Sequence, residues 1–252
     1  RVVFHPGEGL SPERTVDDLA GEYDAVFLGM GLSACSPLDG THPAGVEDAV
    51  GFLKKCKSGC AEVPARVAVI GGGNTAIDAA SQAVSCGAHD VYLIYRRSFS
   101  EMPAWPRERA ELLELGVHLL LLTQPLGYET DEQGRLRGVR IARTTLGDPD
   151  TSGRRKPVLL PGTESVIEVD LALEAIGQRL PDGIEGLTPG IELTPGRLIR
   201  VDETGRTSRE RVYAGGDATN GGATVVQAIA DGVKAANAID RDLTGQGFRV
   251  EG

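Results

Sequence analysis

Apolar residues along this chain fall into short runs and spaced stripes, and the clearest sequence of both lies between residues 66 and 95. Val67-Ala68-Val69-Ile70 is a short, mostly β-branched run of the kind buried in a parallel sheet. A glycine turn follows. Ile77, Ala80 and Val84 then recur at helical spacing up to Gly87, a suitable residue just past a helix end, and a second apolar run covers 91–95. This predicts a β-α-β unit. Before it, the pattern predicts a strand over 1–4, a helical turn near 15–20, a strand over 25–28, a loop over 35–48, a helix over 46–55 and a loop around 58–64. After it come a helix over 106–115, closed by Gly116, and a continuous strand over 117–123.

The pattern then changes. Residues 126–130 and 136–145 flank the turn Asp131-Glu132-Gln133-Gly134, which predicts an antiparallel hairpin. A polar loop over 147–162 and a third antiparallel strand over 166–169 follow. Residues 171–176 form a further buried strand ending at Gly177. A Gly- and Pro-rich boundary spans 177–195. Short strands are expected over 198–201 and 212–214, and a final helix over 224–243 with Val226, Ile229, Val233, Ala236, Ile239 and Leu243 on one stripe. The expected fold is α/β, with a Rossmann-like three-layer domain over 62–180 that carries the antiparallel meander. That domain interrupts a second, partial domain made of 1–61 and 181–252.

The turn carries the first chemistry. Gly71, Gly73 and Ala76 fit G-x-G-x-x-G/A, with Gly72 between them. Gly71 allows the tight turn, Gly73 lets a pyrophosphate approach the backbone, and Ala76 lets the helix pack near the strand. Two other glycine turns act as controls. Gly29-Met30-Gly31 is followed by Pro37, Gly40 and Pro43, and Gly7-Glu8-Gly9 by Pro12, so neither leads into the helix the motif requires. In an NAD site an acidic residue ends the second strand, roughly 20 residues past the glycines. Here that strand ends in Arg96-Arg97-Ser98. Guanidinium groups grip phosphate with paired donors, which points to the 2′-phosphate of NADP. Gly215-Gly216-Asp217 lies after another strand, where a carboxylate can accept hydrogen bonds from a polyol or simply cap a helix.

Composition narrows the classes. With 252 residues and 40 % hydrophobic content the chain can build a sizeable core, and it has no apolar run of membrane-spanning length. A net charge of −10 argues against nucleic-acid and anionic-membrane partners. Cys35, Cys56, Cys60 and Cys86 contain no C-x-x-C. Cys56-x₃-Cys60 is a metal option, but free thiols in a reducing cytoplasm fit better, and His5, His42, His89 and His118 form no ligand pair. No nucleophile triad is visible, so no catalytic side chain and no metal site are assigned; difficult chemistry would fall to cofactors. The first residues begin inside a strand-like segment without an initiator Met, which reads as a fragment.

Taken together, VAVIGGGNTAIDAA, YRRSFSEMPA, GDPDTSGRRKPV, AIGQ and VYAGGDATNGGATVVQAIADG resemble the small (β) subunit of NADPH-dependent glutamate synthase and related FAD- and NAD(P)-dependent oxidoreductases, over nearly the whole chain. The resemblance implies an NADPH domain inserted in an FAD domain, with hydride passing from NADPH to FAD and electrons leaving to an iron–sulfur domain or partner subunit. It implies that Gly71, Gly72, Gly73, Asn74, Thr75 and Ala76 hold the NADPH pyrophosphate, Arg96 and Arg97 the 2′-phosphate, and Asp217, with Gly216, the FAD ribitol. Ala223, Thr224 and Val225 would lie beside the flavin ring, and 29–31 and 175–177, ending at Gly177, would cross between domains. The family's first FAD fingerprint and its cluster cysteines are not in these residues, so the fragment is expected to be inactive alone, to hold FAD weakly or not at all, and to leave a sheet edge open to a second copy. A ferredoxin- or pyrimidine-reducing relative, and a non-catalytic NADP-binding module, remain the alternatives.

Overall fold

The computed structural model describes residues 2–35, 37, 38, 40, 42–59, 62–150 and 153–245. The chain divides into two units. One is the continuous stretch Cys35–Gly177; the other is assembled from Arg1–Ala34 and Gln178–Gly252.

The continuous unit is built on a five-stranded parallel sheet, ordered Val46–Asp48, Leu171–Glu174, Arg66–Ile70, Asp90–Tyr95 and His118–Leu121. Its central strands are apolar on both faces because both are covered. Val67, Val69, Leu93, Leu171 and Leu173 point to one side, against helices Ala49–Lys57, Asn74–Ser85 and Pro106–Glu114. The small side chains of Ala76, Ala79, Ala80 and Ala83 are fully buried there, which brings the Asn74–Ser85 helix close to the sheet. Ala68, Ile70, Ile94 and Ala172 point to the other side, against Leu136, Val139 and Ile141 of an antiparallel meander. In that meander Leu136–Pro149 pairs with Thr123–Thr130 and Ser165–Glu168, and its later part with Arg155–Leu159. Helices, parallel sheet and meander make three layers.

Several expected elements differ. Residues 46–48 form a strand rather than the start of a helix: Val46 pairs with Ala172, and Asp48 caps the helix behind it by accepting from Gly51 N–H at 2.7 Å. Through this strand the chain ahead of Arg66 joins the parallel sheet, in the unit whose contacts begin at Cys35. The strand expected over 117–123 breaks at Leu122 (φ 51°), where the chain leaves the parallel sheet for the meander. Part of the expected 147–162 loop is the strand Arg155–Leu159. Residues 2–4 form no strand and are exposed; Arg1, Cys60 and Ala61, on which expectations also fell, lie outside the described residues.

In the other unit Val26–Leu28 pairs in parallel with Val212–Ala214. Helix Val16–Glu22, capped by Thr15, closes a small core with Val26, Leu28, Leu180, Ile184, Ile199 and Val212. Residues 198–201 form only an isolated bridge, Leu193 to Ile199, and short helices occur at Ile184–Leu187 and Asp217–Asn220. The final helix, Val225–Thr244, packs through Ala235, Ala238 and Ile239 around Tyr213. The apolar stripe read from the sequence lies largely outside this contact: Val226 is 76 % and Ile229 62 % exposed.

The far end of that helix is tied by Asp242, which accepts from Arg206 Nη2 at 2.5 Å and from Tyr213 OH at 2.5 Å. Arg206 first and Tyr213 second pull the Asp242 carboxyl down to about 2. A depressed folded-state pKa means that this stabilisation is present above the ordinary carboxylate value and is lost as pH falls through the folded one. In denaturant titrations the advantage of the parent chain over Asp242→Asn is therefore expected to be full above about pH 4 and gone near about pH 2. A gap that persists in acid would mean that the carboxylate's charge is not what ties the helix.

Candidate functional site

Strand Arg66–Ile70 ends where strand order reverses: Asp90–Tyr95 lies on one side and Leu171–Glu174 on the other. In open α/β sheets such a switch point is where ligands bind, beyond the carboxyl ends of the strands. The glycine turn sits there. Gly71 has φ 145°, and a Cβ on it would lie 2.4 Å from Ala175 O. Gly72 lies under the Tyr95 ring, where a Cβ would be 2.5 Å from the ring edge. Gly73 is different: φ is −90°, and a Cβ would meet nothing within 4 Å. The first two glycines are thus required by the turn itself, whereas the third leaves space above it.

Gly73 is also the N-cap of the Asn74–Ser85 helix and supplies no side-chain cap. Asn74, Thr75 and Ala76 form the first turn, whose N–H groups lack intrahelical acceptors and carry the positive end of the helix dipole. Above the turn is a cavity of about 470 Å³, lined by Gly71, Gly72, Gly73, Arg96, Arg97 and Arg154 among others. Among the described residues no acidic side chain lines it. Glycine backbone, a helix start and arginines without a carboxylate make a cavity suited to a phosphorylated, anionic ligand.

The arginines are not equivalent. Both backbones are pinned by the meander, as Thr144 Oγ1 donates to Arg96 O and Leu122 N–H to Arg97 O. The Arg96 side chain is exposed. Arg97 is 6 % exposed; its Nε donates to Arg155 O and its Nη2 to Asp150 Oδ2, each at 2.7 Å. Both expected arginines line the cavity, but they differ in that Asp150 already balances the Arg97 charge. Arg154 was not singled out from sequence. It lies 58 residues from Arg96 in a stretch read as loop, and only its place in the cavity connects them.

Behind the turn, Glu174 is fully buried at the end of its strand. Its Oε1 accepts from Leu38 N–H at 2.8 Å and from Tyr128 OH at 2.5 Å, and Oε2 lies 3.9 Å from His42 Nε2. The carboxyl group thus ties Leu38 and the meander's Tyr128 to the residue before Ala175. Gly177, at the end of this unit, has φ 129°.

The remaining candidates lie in the discontinuous unit. Asp217 opens the short helix after Gly216; its carboxylate makes no side-chain cap there and instead accepts from Ala223 N–H at 3.2 Å, in the link to the final helix. Thr224 caps the final helix through Gln227 N–H, and Val225 is 76 % exposed. Asp231, which gave no sequence signal, accepts from Gly216 N–H and from the Asn220 and Gln227 side chains. The Gln227 bond, most of all, holds the Asp231 carboxyl below its ordinary range. Cys35, Cys56 and Cys86 are not in disulfides, Cys56 and Cys86 Sγ are 3.7 Å apart, and the described residues contain no cluster of potential metal ligands. No described helix is long and apolar enough to cross a membrane.

Comparisons with known proteins agree with this architecture. The chain is 40 % identical over 239 residues to the NADP(+)-dependent formate dehydrogenase subunit beta of Moorella thermoacetica, covering 91 % of this chain and 33 % of that protein. It is 38 % identical over 243 residues to the glutamate synthase [NADPH] small chain of Escherichia coli, covering 89 % and 51 %. The chain thus spans about a third to a half of these relatives. Among solved structures, Mycobacterium tuberculosis FprA in complex with NADPH superposes with a TM-score of 0.72 at 18 % identity, over 93 % of this chain and 68 % of that one. Thioredoxin reductase from T. acidophilum gives 0.65 at 22 %, over 87 % and 66 %; both likenesses concern the fold. The sequence model for pyridine nucleotide-disulphide oxidoreductases matches residues 8–232, and the chain belongs to that family.

Proposed function

We propose that this chain is the NADPH-binding part of a flavin-dependent oxidoreductase subunit of the glutamate synthase small-chain type. In this reading hydride passes from NADPH to FAD, and electrons continue to an iron–sulfur domain or a partner subunit. The observation that carries the proposal is the cavity over the glycine turn, with exposed Arg96 in its lining and, among the described residues, no carboxylate there. An NAD site would place an acid where Arg96 stands. Gly71 to Ala76 would hold the pyrophosphate against the helix start, and Arg96 the 2′-phosphate.

For a flavin, Gly216 and Asp217 fit a polyol, and Ala223, Thr224 and the exposed Val225 fit an apolar ring. When bound, the flavin supplies the electron-accepting ring. The beta subunits among the relatives, including the NADPH-Fe(3+) oxidoreductase subunit beta of Geobacter sulfurreducens, support a partner subunit. Among the described residues Cys35, Cys56 and Cys86 form no disulfide, which suits a reducing cytoplasm.

Nicotinamide fluorescence titrations test the nucleotide reading. Arg96→Ala is expected to weaken NADPH binding about ten- to a hundredfold, the worth of one charge-assisted phosphate contact, and to leave NADH binding unchanged. Equal losses for both nucleotides would assign Arg96 to the pyrophosphate or the fold and remove the basis for NADPH selectivity.

A further inference from the structure

We infer that Arg154 is a second ligand of the nucleotide's 2′-phosphate, held in place by a buried Arg97–Asp150 strut; the inference rests on the NADPH reading above. Arg154 is exposed and lines the same cavity as Arg96, although it comes from the meander rather than from the parallel sheet. Its position is set by a short turn. Asp150 N–H donates to Arg154 O at 2.8 Å, Gly153 N–H to Asp150 O at 2.9 Å, and Arg154 N–H to Asp150 Oδ1 at 3.2 Å. The other oxygen of the same carboxylate is held by Arg97 at 2.7 Å, and Arg97 also binds Arg155 O. Arg97 thus grips the turn on both sides of Arg154.

The charges support this division of labour. Arg97 and Asp150 form a largely buried pair and cancel each other. Arg96 and Arg154, by contrast, are exposed and line the cavity, and two guanidinium groups match a phosphate monoester of about −1.5 to −2 charge. Arg97 is a positioning residue: it acts on the phosphate through Arg154.

The test uses calorimetric titration of the 252-residue chain with 2′,5′-ADP and 5′-AMP, which differ only in the 2′-phosphate. The parent chain is expected to prefer 2′,5′-ADP. Arg154→Ala, at an exposed position, should weaken 2′,5′-ADP about ten- to a hundredfold and leave 5′-AMP unchanged. Asp150→Asn, which keeps a carbonyl for the turn but loses the charge for Arg97, should lower 2′,5′-ADP affinity in the parent. It should lower it no further once Arg154 is alanine, a coupling that a merely structural role would not produce. If Arg154→Ala changes neither ligand while Arg96→Ala weakens 2′,5′-ADP, the inference fails and the NADPH reading stands. Equal weakening of both ligands by Arg154→Ala also overturns it. If the parent shows no preference, the NADPH reading fails and takes the inference with it.

Discussion

Gly73→Val is expected to abolish nucleotide binding and leave the chain folded. The backbone at Gly73, φ −90° and ψ 176°, is open to any residue, and a Cβ there meets nothing within 4 Å. The protein can therefore take the side chain, and what the side chain occupies is the space above the turn. A pyrophosphate lying on the helix start would lose both its approach and its backbone donors, a loss of more than about 3 kcal/mol or about a hundredfold in affinity. Gly71→Ala makes the contrast. With φ 145° and Ala175 O only 2.4 Å from the new Cβ, it should lower the melting temperature before any ligand is added. Thermal melts and nucleotide titrations of the two variants separate these outcomes. Normal binding by Gly73→Val would mean that the ligand does not lie on this turn, and an unfolded Gly73→Val would make it a packing glycine.

The largest loss of stability is expected at Glu174. Replacing it with alanine removes one buried acceptor used by both Leu38 N–H and Tyr128 OH, and leaves a cavity beside the strand end. Losing such bonds costs about 1–3 kcal/mol each, so about 3–5 kcal/mol is expected in urea unfolding. Glu174→Gln keeps an oxygen for both donors and should cost about 1 kcal/mol or less. Equal losses from the two variants would show that the charge facing His42, rather than the hydrogen bonds, supports the strand end.

The β-α-β unit was legible because each part carries its own local signal: a β-branched run, glycines, a helical stripe and a second run. The hairpin was legible for the same reason, as Asp131 satisfies its own turn through Gln133 N–H and Arg135 N–H. What stayed hidden depends on partners far along the chain. Val46–Asp48 is three residues long and becomes a strand only beside Leu171–Glu174. Arg155–Leu159, polar and containing Pro157, extends only because Leu136–Pro149 runs on to meet it. At the site, the motif and Arg96 could be read directly. That Arg97 turns inward could not, since its carboxylate partner is 53 residues away. The final helix misled for a related reason. Apart from Ile239, its strongest apolar stripe lies off the face that packs on Tyr213, where Ala235 and Ala238 are buried.

The interruption of one unit by the other sets an order of folding. Val26 pairs with Val212, so the outer strands can meet only across everything between them. Ordering a long loop is unfavourable, by about 0.6 kcal/mol for each doubling of its length, and contacts so distant in sequence form slowly. The Cys35–Gly177 stretch shortens that path when it folds, because its two ends come together: Cys35 Sγ–H lies 3.7 Å from Glu174 O. The inner unit therefore acts as the clasp of the outer one. In refolding experiments its signals should appear first, and a fault at the base of its sheet, such as a lost Glu174, should delay the closing of strands it never touches.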